Sequence, residues 1–314
     1  MLGRTAGNLF WMARNIERAE NIARLAEVGF RITLTPDSSE GHRDEWRSAL
    51  TSAGALEGFE QKHQQISHEA AIDFLLFDPD NPSSVRSCLL AARTNARSVR
   101  TKMTRSMWET LNATWLTFDG INRSDVTGAK LPEFLDWIRD QVMQFRGAFL
   151  GTVLRDDGYF FSQLGAFVER ADNTARIIDV KYYLLLPGNQ PVGGEVDTYQ
   201  WETILRSVSA HRSYRHVYHQ AYDPWHVAEF LILRPEMPRS LRFCYDWLNR
   251  SAVGLEEFYG GAKPSHAQIK ASRDRLCQAR MDDVFQAGLH EFIAAFIARN
   301  NSLTNQISAD YNFS

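Results

Sequence analysis

The chain is predicted to be all-α, a helical bundle made of two tandem repeats related by an approximate twofold axis. Three observations predict it. Apolar residues recur at helical spacing along most of the sequence, while strand-like alternation is scarce. The octet Glu17-Arg18-Ala19-Glu20-Asn21-Ile22-Ala23-Arg24 returns 152 residues later as Glu169-Arg170-Ala171-Asp172-Asn173-Thr174-Ala175-Arg176. A second block, Phe74 to Arg86 with Pro82-Ser83-Ser84 inside it, returns 156 residues later as Phe230 to Arg242 with Pro238-Arg239-Ser240. Between the blocks Trp46 answers to Trp201 and His63 to His219. The repeats are placed at residues 1–152 and 153–314, packed as one body, because no low-complexity tract or flexible linker divides them.

The elements follow in order. Ile16, Ala19, Ile22, Ala23 and Ala26 fall on one side of a helix expected from about Thr5 to Ile32, closed before Pro36. Asp78 to Ser84 reads as a helix stop followed by a new N-cap, with Pro82 beside it, and Arg234 to Ser240 is its counterpart. Val168, Ala171, Ala175 and Ile178 repeat the first stripe, ending at Pro187-Gly188. Asn122–Lys130 and Gly188–Gly194 are expected as surface loops, and Gly260 to Pro264 should separate a last pair of helices.

Composition limits the function. With 314 residues, 44% of them hydrophobic, the chain can bury a large core. No apolar stretch approaches the roughly 20 residues that span a bilayer, and Arg14 interrupts the N-terminal apolar patch with no cleavage site after it. Neither membrane insertion nor a signal peptide is expected. Cys88, Cys244 and Cys277 form no CxxC pair and are odd in number, which suits a reducing cytoplasm. Cys88 and Cys244 occupy matched positions and read as core thiols. A net charge of −3 argues against nucleic acid as a partner.

The octets carry the chemistry. Glu17, Glu20, Asn21 and Arg24 share one face opposite the apolar stripe, as do Glu169, Asp172, Asn173 and Arg176. An exposed Glu20–Arg24 pair would contribute only about 0.3–0.5 kcal/mol, too little to hold the pattern while neighbours such as Arg14/Ala166 and Asn15/Phe167 changed. A partly buried polar network is therefore expected. The helix after Pro82 offers a partner, because Arg86, Arg93, Arg97 and Arg100 form a stripe beside the apolar row Val85, Leu89, Ala92, Ala96, Val99 and Met103. That stripe could lie against Glu17 and Glu20. The second copy has Arg242, Asn249, Val253 and Glu256 at these positions, so the first copy is expected to hold an anion-binding stripe that the second lacks.

The sequence resembles the alpha-E domain family over essentially its whole length. The resemblance rests on Arg4 to Trp11, Glu17 to Asn21, Asn81-Pro-Ser-Ser84, Ala92-Arg-Thr-Asn-Ala-Arg-Ser-Val-Arg100 with Trp108 to Asn112, and Leu164-Gly165 with Glu169 to Asp172. It implies an all-helical protein working beside a circularly permuted ATP-grasp protein, with transglutaminase-like or proteasome-like peptidases as further neighbours, in making or processing a peptide- or amide-linked product. Where the family tends to have Gly-Arg before its second motif, this chain has Gly165-Ala166.

No phosphate-binding loop is present, so any ATP chemistry would be the partner's, and no cofactor is expected. Metal is not expected either: the signatures lack Glu-x-x-His, and Arg18, Arg24, Arg170 and Arg176 crowd them with positive charge. His211, His216, His219 and His226 cluster in sequence, but only His216 and His219 share a face. The row is best suited to a zwitterion, carboxylates taking an amine and guanidinium groups a carboxylate. The candidate binding residues for a peptide-like small molecule are Arg14, Glu17, Arg18, Glu20, Asn21, Arg24, Arg93, Asn95, Arg97, Arg100, Glu169, Arg170, Asp172, Asn173 and Arg176. The first hypothesis is a helical binding or ligase-docking component. A second is an acyl-transfer or hydrolytic enzyme with Glu17 or Glu169 as general base, and a third is a structural scaffold.

Overall fold

The two longest of the described helices organise the chain, and both carry the repeated octet. In a computed structural model describing residues 1–33, 42–126, 128–184, 195–219 and 222–313, they are α1 (Gly3–Thr33) and α8 (Asp157–Leu184). They run side by side in the same direction: the Met1 ammonium lies 3.2 Å from Asp157, Phe10 touches α8 at Gly165, and Glu17 meets Arg170. Around α1 are packed α2 (His42–Ser52), α4 (His68–Leu76), α5 (Val85–Ser98) and α7 (Leu131–Thr152), with α3 (Leu56–Lys62) and α6 (Arg105–Asp119) outside them. Around α8 lie α9 (Glu195–Ser207), α11 (Pro224–Ile232), α12 (Leu241–Tyr259) and α15 (Leu289–Asp310), flanked by α10 (His211–Tyr218), α13 (Pro264–Gln278) and α14 (Met281–Ala287). In addition α2 reaches α8 and α9 reaches α1, so each long helix is enclosed by elements from both ends of the chain.

That enclosure changes the meaning of the one-sided apolar stripe. Every residue from Ala19 to Gly29 is buried, the charged ones included. A helix surrounded on all sides has no solvated face, so its polar side must be satisfied inside the protein.

Among the described residues the chain is all-helical, with no strand. Ser84 and Ser240 are the N-caps of α5 and α12, their hydroxyls accepting from the amides of Ser87 and Phe243. Two 3-10 turns, Arg123–Val126 and Gly128–Lys130, occupy the loop expected at Asn122–Lys130. Gly260 closes α12 in the left-handed region, and three helices follow it rather than the expected pair, because Gly288 (φ 99°) breaks the last stretch into α14 and α15. Pro36 and the segment Gly188–Gly194 lie outside the described residues. Among the described residues no helix is long and apolar enough to cross a membrane.

The close approach of α1 to α8 depends on Gly165, where a Cβ would stand 2.1 Å from the Phe10 carbonyl oxygen. Gly165→Ala should push the two backbones apart and lower unfolding stability in urea by about 1–3 kcal/mol. Gly147→Ala on α7, where a Cβ meets nothing within 4 Å, should instead add up to about 1 kcal/mol through helix propensity.

Candidate functional site

Adjacent residues on a helix point about 100° apart, so a Glu-Arg pair cannot close on itself. Each pair finds the other. Arg170 donates through Nε and Nη2 to the two oxygens of Glu17 at 2.8 and 2.9 Å, and Arg18 donates in the same forked way to Glu169 at 2.6 and 2.9 Å. Arg14 adds a third bond to Glu169 at 2.6 Å. Both carboxylates are buried. Burial alone would raise their pKa, but Arg170 and Arg146 pull Glu17 down to about 2, and Arg18 and Arg14 do the same for Glu169.

One turn further along α1, Glu20 gathers three guanidinium groups. It accepts from Arg24 at 2.5 and 3.0 Å, from Arg239 at 2.6 Å and from Arg146 at 2.7 Å. The same Arg146 Nη2 donates to Glu17 at 2.8 Å, joining the two acids. Arg24 is itself anchored on the Ser207 carbonyl and on Ser209 Oγ at 3.1 Å. Arg239 also donates to Asn21 Oδ1 at 3.4 Å. Burial and, after it, the repulsion of Arg24 push Arg239 down to about 10. Glu17 and Glu20 together meet four guanidinium groups, those of Arg24, Arg146, Arg170 and Arg239.

On α8 the corresponding row is less complete. Asp172 accepts from Arg176 at 2.5 Å, and Arg176 Nη1 donates to the Ser52 carbonyl at 3.3 Å. Yet Asp172 Oδ1, Asn173 Nδ2 and Ser52 Oγ are buried without a hydrogen-bond partner.

Two cavities open on this polar layer. The first, about 200 Å³, is walled by apolar side chains of α1 (Met12, Ile16), α7 (Val142, Phe145, Phe149), α8 (Phe167) and α12 (Phe243, Trp247), and its charged end is Glu17, Arg146 and Arg170. Phe167 and Trp247 stack within it, ring centroids 5.5 Å apart. The second, about 180 Å³, is polar and lined by Arg18, Asn21, Ser52, Gly54, Ser83, Glu169, Asp172, Asn173 and Arg176.

Eleven of the sequence-derived candidates thus belong to one layer between α1 and α8: Arg14, Glu17, Arg18, Glu20, Asn21, Arg24, Glu169, Arg170, Asp172, Asn173 and Arg176. Arg93, Asn95, Arg97 and Arg100 do not join it. The expectation that the arginine stripe lies against Glu17 and Glu20 is corrected: α5 turns its apolar row onto α1, which rotates the stripe towards α6 and solvent. There Arg86 pairs with Asp119 at 2.8 Å, Arg93 donates to Asn112 at 2.9 Å, Arg100 covers the Trp108 ring, and Arg97 is exposed. Arg146 and Arg239 take the place proposed for it. Sequence reasoning missed both, although Arg146 borders the apolar row of α7 and Arg239 stands where the other copy has Ser83.

Of the three free cysteines, Cys277 is exposed and the other two are buried. Burial pushes the thiols of Cys88 and Cys244 up to about 12. His211 meets the Tyr222 hydroxyl at 2.5 Å and His226 meets Asp223. Among the described residues no three His, Cys, Asp or Glu side chains are gathered as a metal site would need.

The Alpha-E family model, described as a predicted alpha-helical domain with a conserved ER motif, matches residues 1–311. Neither the curated proteins nor the solved structures gave a match.

Replacing Glu17 by Gln would leave Arg170 buried beside a neutral group, and the variant should lose about 3–5 kcal/mol in urea unfolding. Acid should act on the same network. Because Glu17 and Glu169 are held near pKa 2 when folded, against an ordinary 4.5, the unfolded chain binds more protons between those values. The stability they contribute is complete above about pH 4.5 and is lost as pH falls towards 2, by about 3 kcal/mol per carboxylate. Thermal melts stepped from pH 5 to pH 2 should show this fall, and a flat profile would contradict it.

Proposed function

The chain belongs to the Alpha-E family, and on that premise we propose that it is a ligand-binding helical component of a system that forms or modifies peptide or amide bonds. In this reading a circularly permuted ATP-grasp protein supplies the ATP chemistry and docks on the bundle, with transglutaminase-like or proteasome-like peptidases acting in the same cytoplasmic system. The absence of any phosphate-binding loop from the sequence supports the division of labour. The two halves, 1–152 and 153–314, are copies of one unit about a pseudo-twofold axis between α1 and α8. Three matched features support this: the reciprocal Glu-Arg exchange, the paired N-caps Ser84 and Ser240, and the paired anchors of Arg24 on Ser207 and Arg176 on Ser52.

The observation that carries the binding reading is the apolar cavity ending on Arg146. A peptide-like ligand with an aromatic or aliphatic side chain would place that group among Phe145, Phe167 and Trp247 and its carboxylate on the charged end. Arg146 suits the second task. Its side chain is 30% exposed, and it belongs to a cluster with two more guanidinium groups than carboxylates. A ligand anion there would offset surplus charge rather than compete with a balanced pair.

The enzymatic alternative, with Glu17 or Glu169 as general base, has less support. A base works best with a pKa near the operating pH, whereas both carboxylates are held near 2 with both oxygens in forked arginine bonds.

Calorimetry with N-acetylphenylalanine and with its uncharged amide tests the reading. The acid should bind about ten- to a hundredfold more tightly than the amide, the worth of one charge-assisted contact. Arg146→Gln should remove that preference while the protein stays folded, since Glu17 and Glu20 keep Arg170, Arg24 and Arg239. Equal binding of acid and amide, or binding of neither, would contradict it.

A further inference from the structure

The second cavity has a feature that the first lacks: its counterpart within the same chain is already filled. In the layer around Glu20, the guanidinium of Arg239 donates to Glu20 Oε1 and to Asn21 Oδ1 beside Arg24. In the layer around Asp172, the matched acid and amide are Asp172 and Asn173, the matched arginine is Arg176, and the residue aligned with Arg239 is Ser83. The alignment is geometric as well as sequential, since Ser83 and Arg239 each precede a helix-capping serine. Where Arg239 fills its layer, Ser83 leaves a cavity of about 180 Å³, many times the space that one water requires.

The acceptors that such a guanidinium would satisfy are among the atoms without partners. Asp172 Oδ1, Asn173 Nδ2 and Ser52 Oγ are unpaired, and their residues are 6%, 3% and 4% exposed and line the cavity. A buried carboxylate oxygen with no donor is a costly thing to keep. Turning the Asn173 amide by 180° would present an oxygen, the role that Asn21 plays towards Arg239. The charge count agrees. Among the described residues Glu17 and Glu20 are met by four guanidinium groups, whereas Glu169 and Asp172 are met by three, those of Arg14, Arg18 and Arg176. One more cation makes the two halves equal.

We propose that the cavity between Ser83, Ser52 and Asp172 is a binding site for a guanidinium group brought by a ligand, which takes the place that Arg239 occupies in the other half. The group donates to Asp172 Oδ1 and Ser52 Oγ, and its aliphatic stem leaves past Ser83. This site is separate from the apolar cavity at Arg146, and either can fail without the other.

Calorimetry on the full chain with agmatine, with a Gly-Arg-Gly peptide and with citrulline tests it. At least one guanidinium probe should bind saturably at one per chain, and citrulline, whose ureido group is nearly isosteric with guanidinium but uncharged, at least tenfold more weakly. Agmatine alone binding marks a free small molecule, and the peptide binding marks an arginine presented by a partner. Ser83→Arg should supply the missing group from within, raise Tm and abolish probe binding, while binding of N-acetylphenylalanine stays as in the unmodified protein. Asp172→Asn should weaken the guanidinium probe at least tenfold. Citrulline binding as tightly as agmatine, undiminished probe binding by the folded Ser83→Arg protein, or no saturable binding of any guanidinium probe would overturn the proposal.

Discussion

Glutamates on two neighbouring helices exchange arginines, and the architecture is arranged around that exchange. Glu17 can be paired only if Arg170 is beside it, and Glu169 only if Arg18 is, so the register of α1 against α8 is set at two points at once. A shift of either helix by one residue would break both forks and leave charges buried, at a cost of several kcal/mol for each. Buried ion pairs of this kind need not add net stability over a well-packed apolar core. What their geometry adds is a preference for the native register, in which both forks close. Gly165 supplies the other half of the constraint, because it lets the two backbones come close enough for the forks to close.

The exchange also explains why both long helices are buried on all sides. Once the polar face of α1 is satisfied by α8, α7 and the Pro238–Ser240 turn, water is no longer needed there and further helices can cover it. Among the described residues the arginines outnumber the acids in this layer, seven guanidinium groups to Glu17, Glu20, Glu169 and Asp172, in a chain whose net charge is −3. Positive charge is therefore gathered inside and negative charge outside. Two cavities with different chemistry open on the layer: one apolar with arginine at its end, the other polar with unpaired polar atoms.

How far the sequence could be read depended on the range of the interaction. The all-helical character followed from periodicity, and the N-caps at Ser84 and Ser240 from local turn chemistry. Burial of the octet followed from its persistence where neighbours had changed, since a solvated ladder would have had little reason to persist. Partner identity was not legible, because it is decided by which face each helix turns inward. The stripe Arg86, Arg93, Arg97 and Arg100 has the right charge for Glu17 and Glu20, but the apolar row beside it faces α1 and turns it away. Arg146 and Arg239, single arginines outside the octets and the stripe, reach the acids because α7 and the turn before α12 pass over them. Nothing in their local sequence marks them, apart from the mismatch of Arg239 with Ser83 between the copies.

A double-mutant cycle across Glu17 and Arg170 tests the central claim most directly. Urea unfolding would be measured for Glu17→Gln, for Arg170→Gln and for the protein carrying both. If the crossed pair is the interaction on which α1 and α8 depend, the second substitution should cost far less once the first is present, with a coupling above about 1 kcal/mol. Costs that add to within about 0.5 kcal/mol would mean that the two residues act independently and that the exchange does not hold the helices together.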